Sequence, residues 1–260
     1  MILDEIAQKI GGLKDRGYLK LYDNRPFMTI MIIVSWCATQ ILRAPNFPDH
    51  NDDSFCYSKN KPFYTVFSYA LSHSDFNHIF FNSISLFFMG GLLEAVEGPL
   101  PILIIFSGSV SMGACFQALF KPNVLVRGAS GGCYGIMYAN VSTLIINWSE
   151  MPFRWFRLII FLIILVIEII FYEFYKDKNV SYPVHLGGAI GGILLSLIIV
   201  KNLKKYCFEK IFYFIGSIGY IITSVVVLLE KSWKPALGSL IIVIPTIIFS
   251  YKSNIKIEPA

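Results

Sequence analysis

The chain has 260 residues, of which 55% are apolar and only 15% charged, against about 25% charged in an ordinary soluble domain. With a mean hydropathy of +0.60, this composition excludes a simple soluble domain and intrinsic disorder and points to a multi-pass membrane protein. The net charge of +5 is spread over many short loops, with no basic cluster of the kind a nucleic-acid partner requires.

Residues 1–26 mix Asp4, Glu5, Asp15 and Asp23 with five Lys and Arg. They lack the apolar core of a cleaved signal peptide and the acid-poor character of a mitochondrial presequence. The first spanning helix is therefore expected to act as an uncleaved insertion signal. Seven apolar runs then read as transmembrane helices, each near the ~20 residues that cross a hydrocarbon core. They are Phe27–Ala44, Phe76–Val96, Leu100–Phe120, Gly128–Asn147, Trp155–Tyr172, Tyr182–Val200 and Ile211–Leu229. A shorter run, Ala236–Tyr251, contains Pro245 and reads either as an eighth span or as an interfacial helix. The connections are short except for Pro45–Asp75, and a loop of about thirty residues is more often functional than passive. The cysteines Cys37, Cys56, Cys115, Cys133 and Cys207 form no CxxC pair, which argues against a metal site or a disulfide framework.

Orientation follows from the Lys and Arg in the loops. With the N-terminus in the cytoplasm, the inside segments carry eleven of the 22 basic residues and the outside segments nine. Lys252 and Lys256 depend on the eighth run.

Polar residues within apolar spans are costly and often functional. Span 2 opens around His73, His78 and Asn82. Span 4 begins Gly128-Ala129-Ser130-Gly131-Gly132. Span 6 begins Tyr182-Pro183-Val184-His185, with glycines at 187, 188, 191 and 192. Spans 2, 4 and 6 run in one direction, so these ends share one membrane face. Ser130 opens a helix, where free N–H groups and the positive helix end favour a developing oxyanion. Tyr134 lies one turn on, upon the same face. His185, Gly188 and Gly192 share a face of span 6, so small residues beside the histidine permit close packing on span 4. That approach would let His185 act as general base on the Ser130 hydroxyl. His78 and Asn82, at i and i+4, can both donate towards one point.

The runs His73-x4-His78-x3-Asn82, Gly128-Ala129-Ser130-Gly131 and His185-x2-Gly188-x3-Gly192 resemble the three signatures of rhomboid intramembrane serine proteases, in the right order on spans 2, 4 and 6. The resemblance implies an all-α polytopic fold with a six-span core over 27–200, preceded by a cytoplasmic segment (1–26). The extension 201–260 would carry one or two hydrophobic segments, one of them a transmembrane helix. It implies a Ser130–His185 dyad and an oxyanion hole of His78, Asn82 and the Ser130 amide. His73, Gly128, Gly131, Tyr134, Gly188 and Gly192 would support the site. Glu94 matches a family glutamate that ties neighbouring spans near the inner face. Arg127 and the added span resemble the eukaryotic secretase-type branch. Val184 stands where alanine is usual, so a larger side chain is expected to crowd the dyad slightly. The first outer loop lacks the family's Trp-Arg pair.

Each motif alone has a bland reading. GASGG and GGAIGG are common packing motifs, and His78 and Asn82 alone could be interhelical bonds. Glu94 and Glu97, read without the resemblance, would simply reach water. Glu168 in span 5 is expected to be hydrogen-bonded or protonated rather than a third catalytic member. Cys133 is expected to pack. Of the Asn-x-Ser sites at Asn140, Asn147 and Asn179, only Asn179 is expected outside. The expected activity is cleavage of single-pass transmembrane substrates at or just inside the outer leaflet, with no metal or organic cofactor. The partners are those substrates and the lipid bilayer. The expected location is the endomembrane system (Golgi or secretory pathway) or the plasma membrane. A non-proteolytic relative that binds membrane proteins is the alternative. A transporter would show broken mid-membrane helices and paired repeats, and neither is evident.

Overall fold

The computed structural model describes residues 25–43, 53–149, 154–175, 180–200 and 210–255. Long helices account for most of them: α1 (Phe27–Arg43), α2 (Phe76–Glu97), α3 (Pro99–Phe120), α4 (Ser130–Ile146), α5 (Arg154–Tyr175), α6 (Tyr182–Ile199), α7 (Lys210–Leu229) and α8 (Trp233–Ile255). Each expected apolar run is a helix whose ends differ by a few residues from those read in the sequence. Among the described residues there is no strand, and extended pairing is confined to one antiparallel bridge, Tyr57–Val126. Residues 1–24 of the expected cytoplasmic segment 1–26, Asn179 and Cys207 lie outside the described residues. So does the side chain of Glu168, which falls within α5.

Local chemistry sets the helix ends. Asp75 caps α2 by accepting from the His78 backbone N–H, the usual role of a short acidic side chain at that position. Gly98, at φ 87°, turns the chain from α2 directly into α3, and Pro99 starts the new helix, where its missing N–H costs nothing. Among the described residues, α2, α3, α6, α7 and the stretch Trp233–Tyr251 of α8 are long and apolar enough to cross a membrane. The chain is thus an all-α, multi-pass integral membrane protein.

Helix α3 is the hub. It is the most buried of these five segments, at 78%, and α4, α6 and α8 all pack on it. Helix α6 lies between α3 and α4, and α2 packs on α4 and α1. Helix α5 packs chiefly on α4. The α7–α8 pair forms a hairpin against α6 and α3. Its seam is polar and buried. Tyr220 Oη donates to the Gly108 carbonyl at 2.9 Å, Ser111 Oγ lies 3.1 Å from Ser239 Oγ, and Cys115 Sγ lies 3.3 Å from the same hydroxyl.

Two readings left open by the sequence are decided here: the nature of the run Ala236–Tyr251, and whether Glu94 and Glu97 reach water. Helix α8 buries Ala236, Ser239, Val243, Thr246 and Ser250, a single stripe at helical spacing. It is therefore a lateral member of the bundle, not an interfacial helix, and Pro245 is accommodated within it. Glu94 and Glu97 do not reach water: they are 0% and 3% exposed.

The α4–α6 contact is backbone on backbone. A Cβ on Gly188 would collide with the Gly131 carbonyl, and one on Gly192 with the Gly135 carbonyl. Neither obstacle is a flexible side chain, so the helices would have to separate. Gly192→Ala is expected to destabilise the protein by about 1–3 kcal/mol, the usual range for overpacking. Thermal unfolding of purified wild type and variant in one detergent checks this.

Candidate active site

The first turn of α4 is built by its glycines and by a histidine behind it. Gly128 has φ 114°, a conformation that L side chains rarely adopt. A Cβ there would also lie 2.5 Å from the His78 ring. The next residue, Ala129, donates its N–H to His73 Nε2 at 3.4 Å. The Gly128 N–H donates to the Tyr69 carbonyl at 2.9 Å. The first intrahelical bond runs from Cys133 N–H to the Ala129 carbonyl, so the amides of Ser130 and Gly131 precede it and point out of the helix start.

Ser130 and His185 meet across the glycine contact. His185 Nε2 lies 3.0 Å from Ser130 Oγ, within reach for proton transfer. The imidazole stacks on Tyr134, with ring centroids 4.2 Å apart and planes at 16°, which fixes its orientation. Val184 does not crowd this pair. Its side chain enters the groove left by Gly131 and Gly113, where a Cβ on either glycine would lie 2.9 and 3.1 Å from Val184 Cγ1.

Helix α2 supplies the facing wall. His78 sits against Gly128, and its Nδ1 lies 3.0 Å from Ser74 Oγ. Asn82 is buried, and its Nδ2 has no hydrogen-bond partner. An orphaned buried donor is uncommon in a folded protein, and one beside a serine–histidine pair suits an anion that forms only during reaction. The Cys133 thiol, one turn past Ser130, donates to the Asn82 carbonyl at 3.6 Å, which places Asn82 at that level. Cys133 is packed, at 3% exposure. Among the described residues no cluster of His, Cys, Asp or Glu suits a metal ion.

The family model for the rhomboid domain matches residues 60–202, more than half of the chain and the whole of this site. The chain belongs to the rhomboid family. It is 32% identical to rhomboid-related protein 1 of Caenorhabditis elegans over 154 residues, covering 55% of this chain and 42% of that protein. It is 26% identical to rhomboid-related protein 2 of Mus musculus over 165 residues, 60% of this chain and 53% of that one. A further relative is inactive rhomboid-related protein 2 of Caenorhabditis elegans, at 25% over 158 residues, 59% of this chain and 45% of its own. The chain thus spans about half the length of these relatives.

In this rhomboid, the described part of the loop between α1 and α2 is tied to the segment that precedes α4. Tyr57 and Val126 bridge the loop to the segment before α4, Lys59 N–H donates to the Pro122 carbonyl, and Asp53 pairs with Arg127. Burial pushes the Cys56 thiol up in this loop, an effect larger than the opposing pull of Arg127. Lys234, at the start of α8, donates to the Lys61 carbonyl at 2.6 Å, so the C-terminal hairpin also holds the loop.

Glu94 lies at the other end of α2. Its carboxylate accepts from the N–H groups of Met28 and Thr29 at 2.7 and 2.8 Å and from Thr29 Oγ1 at 2.7 Å. An α2 side chain thereby caps α1 and places negative charge at its positive end. Asn140 and Asn147 are occupied too. Asn140 Nδ2 donates to the Met89 carbonyl at 3.2 Å, and Asn147 Nδ2 to the Thr143 carbonyl.

Several positioning residues escape the sequence reading. Gly135 meets Gly192, and its spacing from Gly131 repeats that of Gly188 and Gly192, a legible signal. Gln117 holds Ser181 before α6 through Oε1 at 2.6 Å, and its Nε2 donates to the carbonyls of Lys121 and Val124. An amide inside an apolar span was its clue. Tyr69, whose hydroxyl donates to the Val110 carbonyl at 2.7 Å, left no local signal.

Two expectations follow. Glu94→Ala leaves the buried Thr29 N–H and the half-buried Met28 N–H without their acceptor, and is expected to cost about 1–3 kcal/mol, read as a lower unfolding temperature. His73 is held neutral because burial pushes it down to about 3 from 6.5, with His78 adding to the effect. Its unfolded form takes up a proton near 6.5, so its stability contribution is whole above that pH and is lost as pH falls towards 3. His73→Gln, which keeps an acceptor and cannot charge, should flatten the fall in unfolding temperature between pH 7 and 4.

Proposed function

We propose that this rhomboid is an intramembrane serine endopeptidase that cleaves single-pass membrane proteins near the outer, lumenal or extracellular leaflet. The observation that carries the reading is the 3.0 Å approach of His185 Nε2 to Ser130 Oγ, with the imidazole stacked on Tyr134. Ser130 attacks the scissile carbonyl while His185 takes its proton, and His185 returns that proton to the leaving amine. The oxyanion sits among the Ser130 amide, His78 and the unpartnered Nδ2 of Asn82. Water then releases the acyl group, with His185 again as base. No step calls on a metal or an organic cofactor.

Substrate entry from the bilayer between α2 and α5 is supported by the packing. Among the described residues α5 leans chiefly on α4, and α2 exposes Phe76, Phe80, Phe81, Phe87 and Phe88. A substrate helix must unwind to offer a carbonyl, so segments with glycine or proline should be cut best. The distribution of Lys and Arg supports a cytoplasmic N-terminus.

A relative named inactive makes a non-proteolytic binding role the second reading. Cleavage of a model single-pass substrate in proteoliposomes separates the two. Wild type should cut, Ser130→Ala and His185→Ala should not, and Asn82→Ala should lose roughly 10²–10³ in rate. Equal function of wild type and Ser130→Ala in a binding assay, without cleavage by either, would favour the second reading.

A further inference from the structure

A short polar chain stands behind the α2 wall. Asp75 makes two bonds with one carboxylate: Oδ1 accepts from the His78 backbone N–H at 2.9 Å, and Oδ2 accepts from Ser74 Oγ at 2.8 Å. The same Ser74 oxygen lies 3.0 Å from His78 Nδ1. Asp75 is exposed. Burial acts to raise its carboxyl, but the bonds from His78 N–H and Ser74 outweigh it and bring the group below the usual carboxylate value. Asp75 is therefore ionised at neutral pH.

The protons can be counted. Ser74 has one hydroxyl proton, and an ionised carboxylate 2.8 Å away takes it. Ser74 then presents a lone pair to Nδ1, so His78 must donate there. A neutral imidazole with its proton on Nδ1 has a bare Nε2. The Gly128 side of the ring, where both Cε1 and Nε2 approach, would then face an oxyanion with a lone pair. Turning the Ser74 proton to Nδ1 instead would set two lone pairs against each other at the carboxylate. One arrangement satisfies every group while Nε2 donates: His78 carries both protons, Nδ1–H bonds Ser74, and Ser74 bonds the Asp75 anion.

We propose that Ser74 and Asp75 are positioning residues that hold His78 as a charged, two-proton donor when the oxyanion forms, with Asp75 as its counter-ion through the Ser74 hydroxyl. The inference rests on the protease reading above. The other charged and titratable groups near His78 are few. Burial of the His78 ring is the largest influence and opposes the added charge, Asp75 favours it, and Arg127, itself paired with Asp53, opposes it as well. His73, whose ring centroid is 5.1 Å from that of His78, is neutral and accepts from Ala129. His185 is the general base and must be neutral to act.

The test is the pH dependence of kcat for a model transmembrane substrate, measured for wild type, Ser74→Ala, Ser74→Thr, Asp75→Asn, His78→Ala and the double variant Ser74→Ala/His78→Ala. Asp75→Asn keeps an acceptor for the helix cap, and unfolding temperatures confirm that each variant is folded. Wild type should lose activity as pH rises through the titration of His78. That limb should move to lower pH in Ser74→Ala and Asp75→Asn, stay in place in Ser74→Thr and be absent in His78→Ala. Ser74→Ala should lower kcat about tenfold at neutral pH, the scale of one hydrogen bond to a charged group, and should cost nothing further in the His78→Ala background. An unmoved limb in Ser74→Ala, or the same tenfold loss with and without His78, would overturn the proposal while leaving the protease reading intact. Failure of wild type to cut any substrate would overturn that reading, and the proposal with it.

Discussion

The close approach of α4 and α6 is the constraint on which the rest depends. Gly188 lies on the Gly131 carbonyl and Gly192 on the Gly135 carbonyl. Lipid tails are as apolar as the helices they surround, so no hydrophobic force drives these two helices together. Packing must do it, and small residues let backbones touch. The same contact fixes the spacing of the chemistry, because Ser130 stands just before Gly131 and His185 one turn before Gly188. The 3.0 Å separation of Oγ and Nε2 is thus a property of backbone geometry. It does not depend on a flexible side chain reaching across a gap.

Around that contact the protein places polar groups where apolar ones would be cheaper, and many of them have a structural partner. Glu94 caps α1 from α2. Asp75 caps α2, and His73 holds the Ala129 amide in front of Ser130. Gln117 binds the segments that precede α4 and α6. The Ser111–Tyr220–Ser239 seam fastens the C-terminal hairpin to α3. Asn82 Nδ2 is one of several buried side-chain atoms with no hydrogen-bond partner, and its position is what makes it informative. It lies on the wall that faces the first turn of α4, where an oxyanion would supply the missing acceptor.

Much of this was legible in the sequence. Hydropathy marks every long helix, because a membrane demands long apolar stretches and the loops between are short. Ser130, His185, His78 and Asn82 stand out because polar residues in apolar spans are few and these open spans running in the same direction. The fates of Glu94 and Glu97 were not legible from hydropathy, since a carboxylate near a span end suits water equally well. Only the α1 terminus packed beside Glu94 decides its partner. The role of Tyr69 was hidden for a similar reason: its hydroxyl bonds Val110, far along the chain, and no local pattern encodes that pairing. Pro245 left α8 open between an eighth span and an interfacial helix, and the small and polar stripe from Ala236 to Ser250 carries the packing signal that decides it.

The central claim is that backbone contact between α4 and α6 creates an activated serine. The most direct measurement is the covalent adduct formed with a fluorophosphonate, mapped to a residue by mass spectrometry on the purified, folded protein. The account predicts an adduct on Ser130 that requires His185 and is lost when Gly188 or Gly192 is enlarged. An absence of adduct in folded wild-type protein, beside an active rhomboid control, would contradict it.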